Sequence, residues 1–95
     1  MYLGALKRVL RYGWTRHNLG DKSVGFCIVG AIDDYYLEAD PPYGTRNTAI
    51  RYLERILSVT NLAEWNDSEA TVERVVDVLL RGAETADRIL PQESV

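Results

Sequence analysis

Ninety-five residues with a mass of 10.8 kDa suffice for one compact domain and leave no room for a second core. Apolar residues make up 46% of the chain and charged residues 26%, an ordinary globular composition that excludes intrinsic disorder and a fibrous repeat. The formal charge is −3 but uneven: up to Val24 there are five bases (Lys7, Arg8, Arg11, Arg16, Lys22) against one acid (Asp21), a surplus of +4 that leaves −7 for the rest. The longest uncharged apolar stretch, Val24 to Ile32, holds two glycines and is too short for a membrane span. Cys27 is the only cysteine, so no internal disulfide forms, and Met-Tyr-Leu-Gly does not begin a secretory signal. A reducing cytoplasm is the expected location.

In chain order, Leu3, Leu6 and Leu10, with Val9, recur at helical spacing and predict a first helix over Tyr2 to Tyr12, with Lys7, Arg8 and Arg11 outward. Gly13 stops it. Thr15 to Ser23 reads as an irregular connector with Trp14 as its apolar anchor. A second helix is expected from Val24 or Gly25, capped by Ser23 or Asp21, with Cys27, Ile28, Ala31, Ile32 and Tyr35 on one stripe. The rival is a short buried strand over Val24 to Val29, set aside because no second run offers it a partner. Asp40-Pro41-Pro42-Tyr43-Gly44 breaks the helix. A third helix follows from Thr45 or Arg46 to Val59, with Ala49, Leu53, Ile56 and Leu57 inward. Asn61 to Ala70 reads as a polar connector carrying Trp65. The last helix repeats Val72, Val75, Val76, Leu79, Leu80, Ala83, Ala86 and Leu90 up to Pro91, with Thr71, Asp67 or Ser68 as cap. The expected fold is all-α: a small single-domain bundle of about four helices over residues 1–95, with 91–95 as a short tail and a core around Leu6, Ile28, Leu53 and Leu79.

Three segments stand in a distinctive order: Gly13-Trp14, then Gly25-Phe26-Cys27-Ile28-Val29-Gly30-Ala31-Ile32, then Leu62-Ala63-Glu64-Trp65-Asn66-Asp67 followed by Thr71-Val72-Glu73-Arg74-Val75. Together, from Leu6 to about Ala86, they resemble an uncharacterised family of small proteins of actinobacteria and their phages. The resemblance implies no catalytic or ligand-binding role, and it favours a phage or mobile-element origin.

Two constellations carry chemistry. Cys27 near a helix start could have its thiol pKa lowered by the helix dipole, with His17 as base and Asn66 or Asp67 as the orienting group of a thiol-dependent enzyme. Against this stands cysteine as simple core packing, the favoured reading. Asp33, Asp34, Glu38 and Asp40 crowd the C-terminal half of the second helix, where the dipole disfavours negative charge. Pairing with Lys7, Arg8 or Arg11 would offset this, as would a basic partner. The tyrosines Tyr35, Tyr36, Tyr43 and Tyr52 straddle the same region, and tyrosine is enriched where proteins touch.

The leading expectation is therefore a non-enzymatic protein-binding module that contacts an unidentified partner through Asp33, Asp34, Tyr36, Glu38, Tyr43 and Tyr52. Occupation of a host or defence factor by a phage-encoded protein is one version. The alternatives are the Cys27 enzyme and a nucleic-acid accessory protein using Lys7, Arg8, Arg11 and Arg16. Nucleic acid is not expected, because four bases on an acidic chain come without a recognised binding motif. No metal or cofactor is expected, since the carboxylates lack calcium-loop spacing and no phosphate-cradling glycine loop is present.

Overall fold

The computed structural model describes residues 2–39 and 44–89, the side chains of 86–89 excepted. Its first helix, α1 (Tyr2–Tyr12), buries Tyr2, Ala5, Leu6 and Val9, spaced as one helical face. The face is rotated from the expected one: Leu3 and Leu10 are 48% and 66% exposed. Tyr2 takes the inner place because its polar tip finds an acceptor there, the hydroxyl donating to the Ala49 carbonyl at 2.8 Å. Gly13 ends the helix with φ at 98°, its N–H donating to the Val9 carbonyl at 2.9 Å.

A short hairpin comes next, where the second helix was expected to begin. Strand β1 (Gly20–Asp21) pairs antiparallel with β2 (Gly25–Phe26), Gly20 opposite Phe26 and Asp21 opposite Gly25. Asp21 organises the turn rather than capping a helix: Oδ1 accepts from the Ser23 N–H at 2.8 Å, the Ser23 hydroxyl at 2.6 Å and the Val24 N–H at 3.2 Å. The segment after α1 supplies a second partner, since the Phe26 N–H donates to Gly13 at 2.9 Å and the Thr15 N–H to Phe26 at 3.2 Å. Thus the segment read as an irregular connector feeds both sides of Phe26, which satisfies the backbone groups a lone strand would have left unpaired. Gly25 permits the close approach: its φ is 94°, and a Cβ there would sit 2.7 Å from the Gly13 carbonyl carbon.

Helix α2 (Ile28–Ala39) follows, buried along Ile28, Val29, Gly30, Ala31, Ile32 and Tyr36. It runs opposite to α1, with Gly4 beside Tyr35 at one end and Tyr12 edge-on to Phe26, 6.0 Å between ring centroids, just before the other. The Asp40 to Tyr43 break lies outside the described residues. Helix α3 (Thr45–Leu57) buries Ala49 and Leu53 and ends at Ser58 in the left-handed region.

Residues read as a polar connector form a further helix, α4 (Leu62–Ser68). Asn61 caps it, its side chain accepting from the Glu64 N–H at 3.0 Å, and Leu62, Trp65 and Asn66 face inward. Helix α5 (Val72–Ile89) is capped by Thr71, whose hydroxyl accepts from the Arg74 N–H at 3.3 Å. Its inner face carries Val75, Val78, Leu79 and Ala83, whereas Val72 and Leu80 are exposed.

The chain is a mostly α domain, with five helices and one small hairpin among the described residues. Helix α1 lies between α2 and α5, α3 packs on α5 and α2, and α4 closes over α2 and α3. Leu6, Ile28, Leu53 and Leu79 are all buried in one core, as expected from the sequence.

Candidate functional site

The segments that carry the family resemblance meet at the N-terminus of α2. Cys27 is the residue before the helix and is only 3% exposed. Its N–H donates to the Leu19 carbonyl at 3.2 Å, and its carbonyl accepts the Ala31 N–H at 2.9 Å. The sulfur accepts the Gly30 N–H at 3.2 Å, so Sγ occupies the place a serine oxygen takes in an N-cap. A helix start usually favours thiolate. Here burial dominates and pushes the Cys27 thiol up, helped by the carboxylates of Asp67 and Asp33, against the lowering effect of the Gly30 and Val29 N–H groups. The thiol stays protonated and acts as a helix cap.

Asn66 completes the same end. It is fully buried, and its Oδ1 accepts from the Trp14 indole Nε1 at 2.7 Å and the Ile28 N–H at 3.0 Å. Its Nδ2 donates to the Thr15 carbonyl at 3.1 Å and to Asp67 Oδ1 at 3.2 Å. One side chain on α4 thereby joins the segment after α1 to an otherwise unpaired amide of α2.

His17 reaches this region through its backbone. It adopts a positive φ of 69°, and its N–H donates to Asp67 Oδ1 at 2.7 Å. That contact, more than any other, holds the Asp67 carboxyl below the usual carboxylate range. The imidazole is exposed, with Nδ1 3.9 Å from Asp67 Oδ2. Of the trio considered for nucleophilic chemistry, the structure brings Cys27 and Asn66 together as capping groups. Among the described residues no hydrogen bond joins the thiol to His17 or Asn66.

The acidic and tyrosine-bearing region is tied into the fold. Asp33 pairs with Arg46 on α3, Nη2 to Oδ2 at 3.2 Å and Nε to Oδ1. Arg8 on α1 reaches Asp34 at 2.7 Å and Glu38 at 3.0 Å. These two arginines offset the crowding of acids at the C-terminal half of α2; among the described residues Lys7 and Arg11 take no part. Tyr36 is buried, with its hydroxyl donating to the Thr45 carbonyl at 3.4 Å. The Tyr52 and Thr85 hydroxyls share a hydrogen bond at 2.8 Å. Tyr43 lies outside the described residues. Glu38 and the adjacent Leu37, 84% exposed, face outward on α2.

The bases of the N-terminal quarter divide in the same way. Arg16 donates to the Ala70 carbonyl, and its guanidinium lies 5.0 Å over the Trp14 ring. With Arg8 committed to Asp34 and Glu38, Lys7 and Arg11 make no ion pair among the described residues. The roles of Trp14 and Asn66 in one hydrogen-bonded node were not visible in the sequence. The Asn61 and Glu64 spacing, by contrast, was an available signal for α4.

No helix among the described residues is long and apolar enough to cross a membrane. Nor do three or more His, Cys, Asp or Glu residues gather there as a metal site. No curated protein and no solved structure matches the chain. The model of DUF6197, a family of unknown function, matches residues 2–85 and so reaches from α1 into α5. With the match spanning most of its length, the chain belongs to the DUF6197 family.

Proposed function

We propose that this chain is a non-enzymatic protein-binding module that acts by occupying a partner's surface. The observation that carries this reading is the use made of Cys27: the one thiol is enclosed as a helix cap, and Asn66 is spent on backbone groups. This supports recognition through the exterior, where large apolar side chains stand beside charge, Leu37 with Glu38 on α2 and Leu10 with Arg11 on α1. Within the band from Asp33 to Tyr52, exposed Leu37 and Glu38 support this reading among the described residues. A phage-borne occupant of a host or defence factor is the setting favoured by the order of the three segments, and a lone enclosed thiol suits a reducing cytoplasm.

The test is site-specific photo-crosslinking. A photoreactive phenylalanine analogue placed at Leu37 or Leu10 and exposed to light in the producing cell is expected to give discrete higher-mass adducts with a protein. Absence of any adduct from both positions would contradict the reading.

A further inference from the structure

Beside α1 lies an open cleft of about 220 Å³. It is lined from α1 by Lys7, Arg8, Arg11 and Tyr12, and Lys22 reaches it from the hairpin turn that Asp21 organises. Arg8 pairs with both of the cleft's acids, Asp34 and Glu38. Lys7, Arg11 and Lys22 have no ion pair among the described residues, so with four cations against two acids the cleft carries a surplus of +2 on a chain whose overall charge is −3. Arg11 and Lys22 are both held against the Tyr12 ring, at 5.3 and 5.8 Å from its centroid, and this gathers like charges that would otherwise spread apart. Along the exposed line of α1, Leu3 and Leu10 stand one turn to either side of Lys7.

Resting on the protein-binding reading above, we propose that this cleft is the docking site for a short acidic peptide segment of the partner. Its carboxylates meet Lys7, Arg11 and Lys22, and an apolar side chain next to them covers Leu10. Charge complementarity selects the occupant. A long polyanion such as a nucleic acid would run past Asp34 and Glu38 and into the field of an acidic molecule, whereas a short acidic segment places its few charges inside the cleft. The apolar rim adds contact area that a phosphate backbone would not use.

The experiment selects a displayed random-peptide library on the intact wild-type chain and measures the recovered peptides by fluorescence anisotropy. The comparison is between the cleft variant Lys7→Glu, Arg11→Glu, Lys22→Glu and the control Arg51→Glu, Arg55→Glu, Arg81→Glu, which makes the same charge change on exposed positions of α3 and α5. Arg11 and Arg55 both lie in the last turn of a helix, so the two sets match there as well. The milder Lys7→Gln, Arg11→Gln, Lys22→Gln variant guards against repulsion of Asp34 and Glu38, and circular dichroism checks that each variant is folded.

Recovered peptides are expected to be enriched in Asp and Glu beside an apolar residue, to bind the cleft variants about tenfold or more weakly, and to bind the control within about twofold of wild type. Equal binding to cleft variant and wild type overturns the cleft assignment while the protein-binding reading stands. A library without any binder also overturns the assignment; the protein-binding reading falls as well only if photo-crosslinking yields no adduct. Tighter, cleft-dependent binding of a single-stranded oligonucleotide than of any recovered peptide overturns the assignment in favour of nucleic acid.

Discussion

Replacing Asn66 with Ala is expected to lower the unfolding free energy by about 3–5 kcal/mol, a large share of the roughly 5–15 kcal/mol typical of a domain. The substitution deletes one small side chain but strands three groups: the Trp14 indole N–H, the Ile28 N–H and the Thr15 carbonyl. Each buried group left without a partner costs about 1–3 kcal/mol, and Trp14, being only half-buried, recovers part of its loss from water. The denaturant midpoint by circular dichroism reads the loss. Asn66→Asp separates the donor from the acceptor role. An ionised side chain there still accepts from Ile28 but gives nothing to Thr15 and carries buried charge next to Asp67. Burial raises such a carboxyl, so its protonated form is favoured as pH falls, and that form donates to Thr15 again. The Asn66→Asp variant is therefore expected to recover part of its loss on acidification toward pH ~5, whereas Asn66→Ala does not.

Gly30→Ala is the second large effect, expected at about 2–4 kcal/mol on the same measurement. A Cβ on Gly30 would lie 1.9 Å from the Leu19 carbonyl oxygen, which is backbone and cannot rotate away. That carbonyl accepts the Cys27 N–H, so any relief of the clash also pulls apart the contact that fixes the capping cysteine. The penalty here comes from close approach of the connector to the first turn of α2. Ala on a solvent-facing helical site would stabilise instead. Melting of Gly30→Ala at the wild-type midpoint would show that the connector does not sit against α2 as described.

How much of this was legible in the sequence depends on whether the signal was local. Helix stops at Gly13 and the Thr71 cap are local backbone chemistry, and both appear where the residues predict. The core centre on Leu6, Ile28, Leu53 and Leu79 follows from periodicity, which is also local. The rotation of α1 and α5 was harder to see. On α1, Tyr2 competes with Leu3 for the interior and takes it because its hydroxyl reaches Ala49 on another helix. On α5, Val78 is buried and Leu80 exposed, a choice made by neighbouring helices among residues of similar hydropathy.

The hairpin was hidden because two-residue strands have no period. Phe26 gains its partners from segments 6 to 13 positions upstream, where Asn18, Gly20 and Asp21 read only as turn formers. Helix α4 was missed because its inward face has two large apolar residues and an asparagine. The Asn61 cap with Glu64 three positions on was nevertheless a local mark of its start. Asn66 itself could not have been assigned from the chain. A buried asparagine is explained only by what reaches it, and its partners at Trp14, Thr15 and Ile28 come from two other parts of the fold.

Cys27 and Asn66 hold α2 to its neighbours, the structural role on which the protein-binding proposal rests. Alkylation of Cys27 by iodoacetamide, followed by mass spectrometry on native and denatured protein across pH, probes this most directly. A buried, neutral thiol is expected to react at least about a hundredfold more slowly in the native protein than in denaturant, with no rise in native rate through the neutral range. Rapid native alkylation near neutral pH, following a titration below the ordinary thiol range, would show a working nucleophile and contradict the structural role assigned to Cys27.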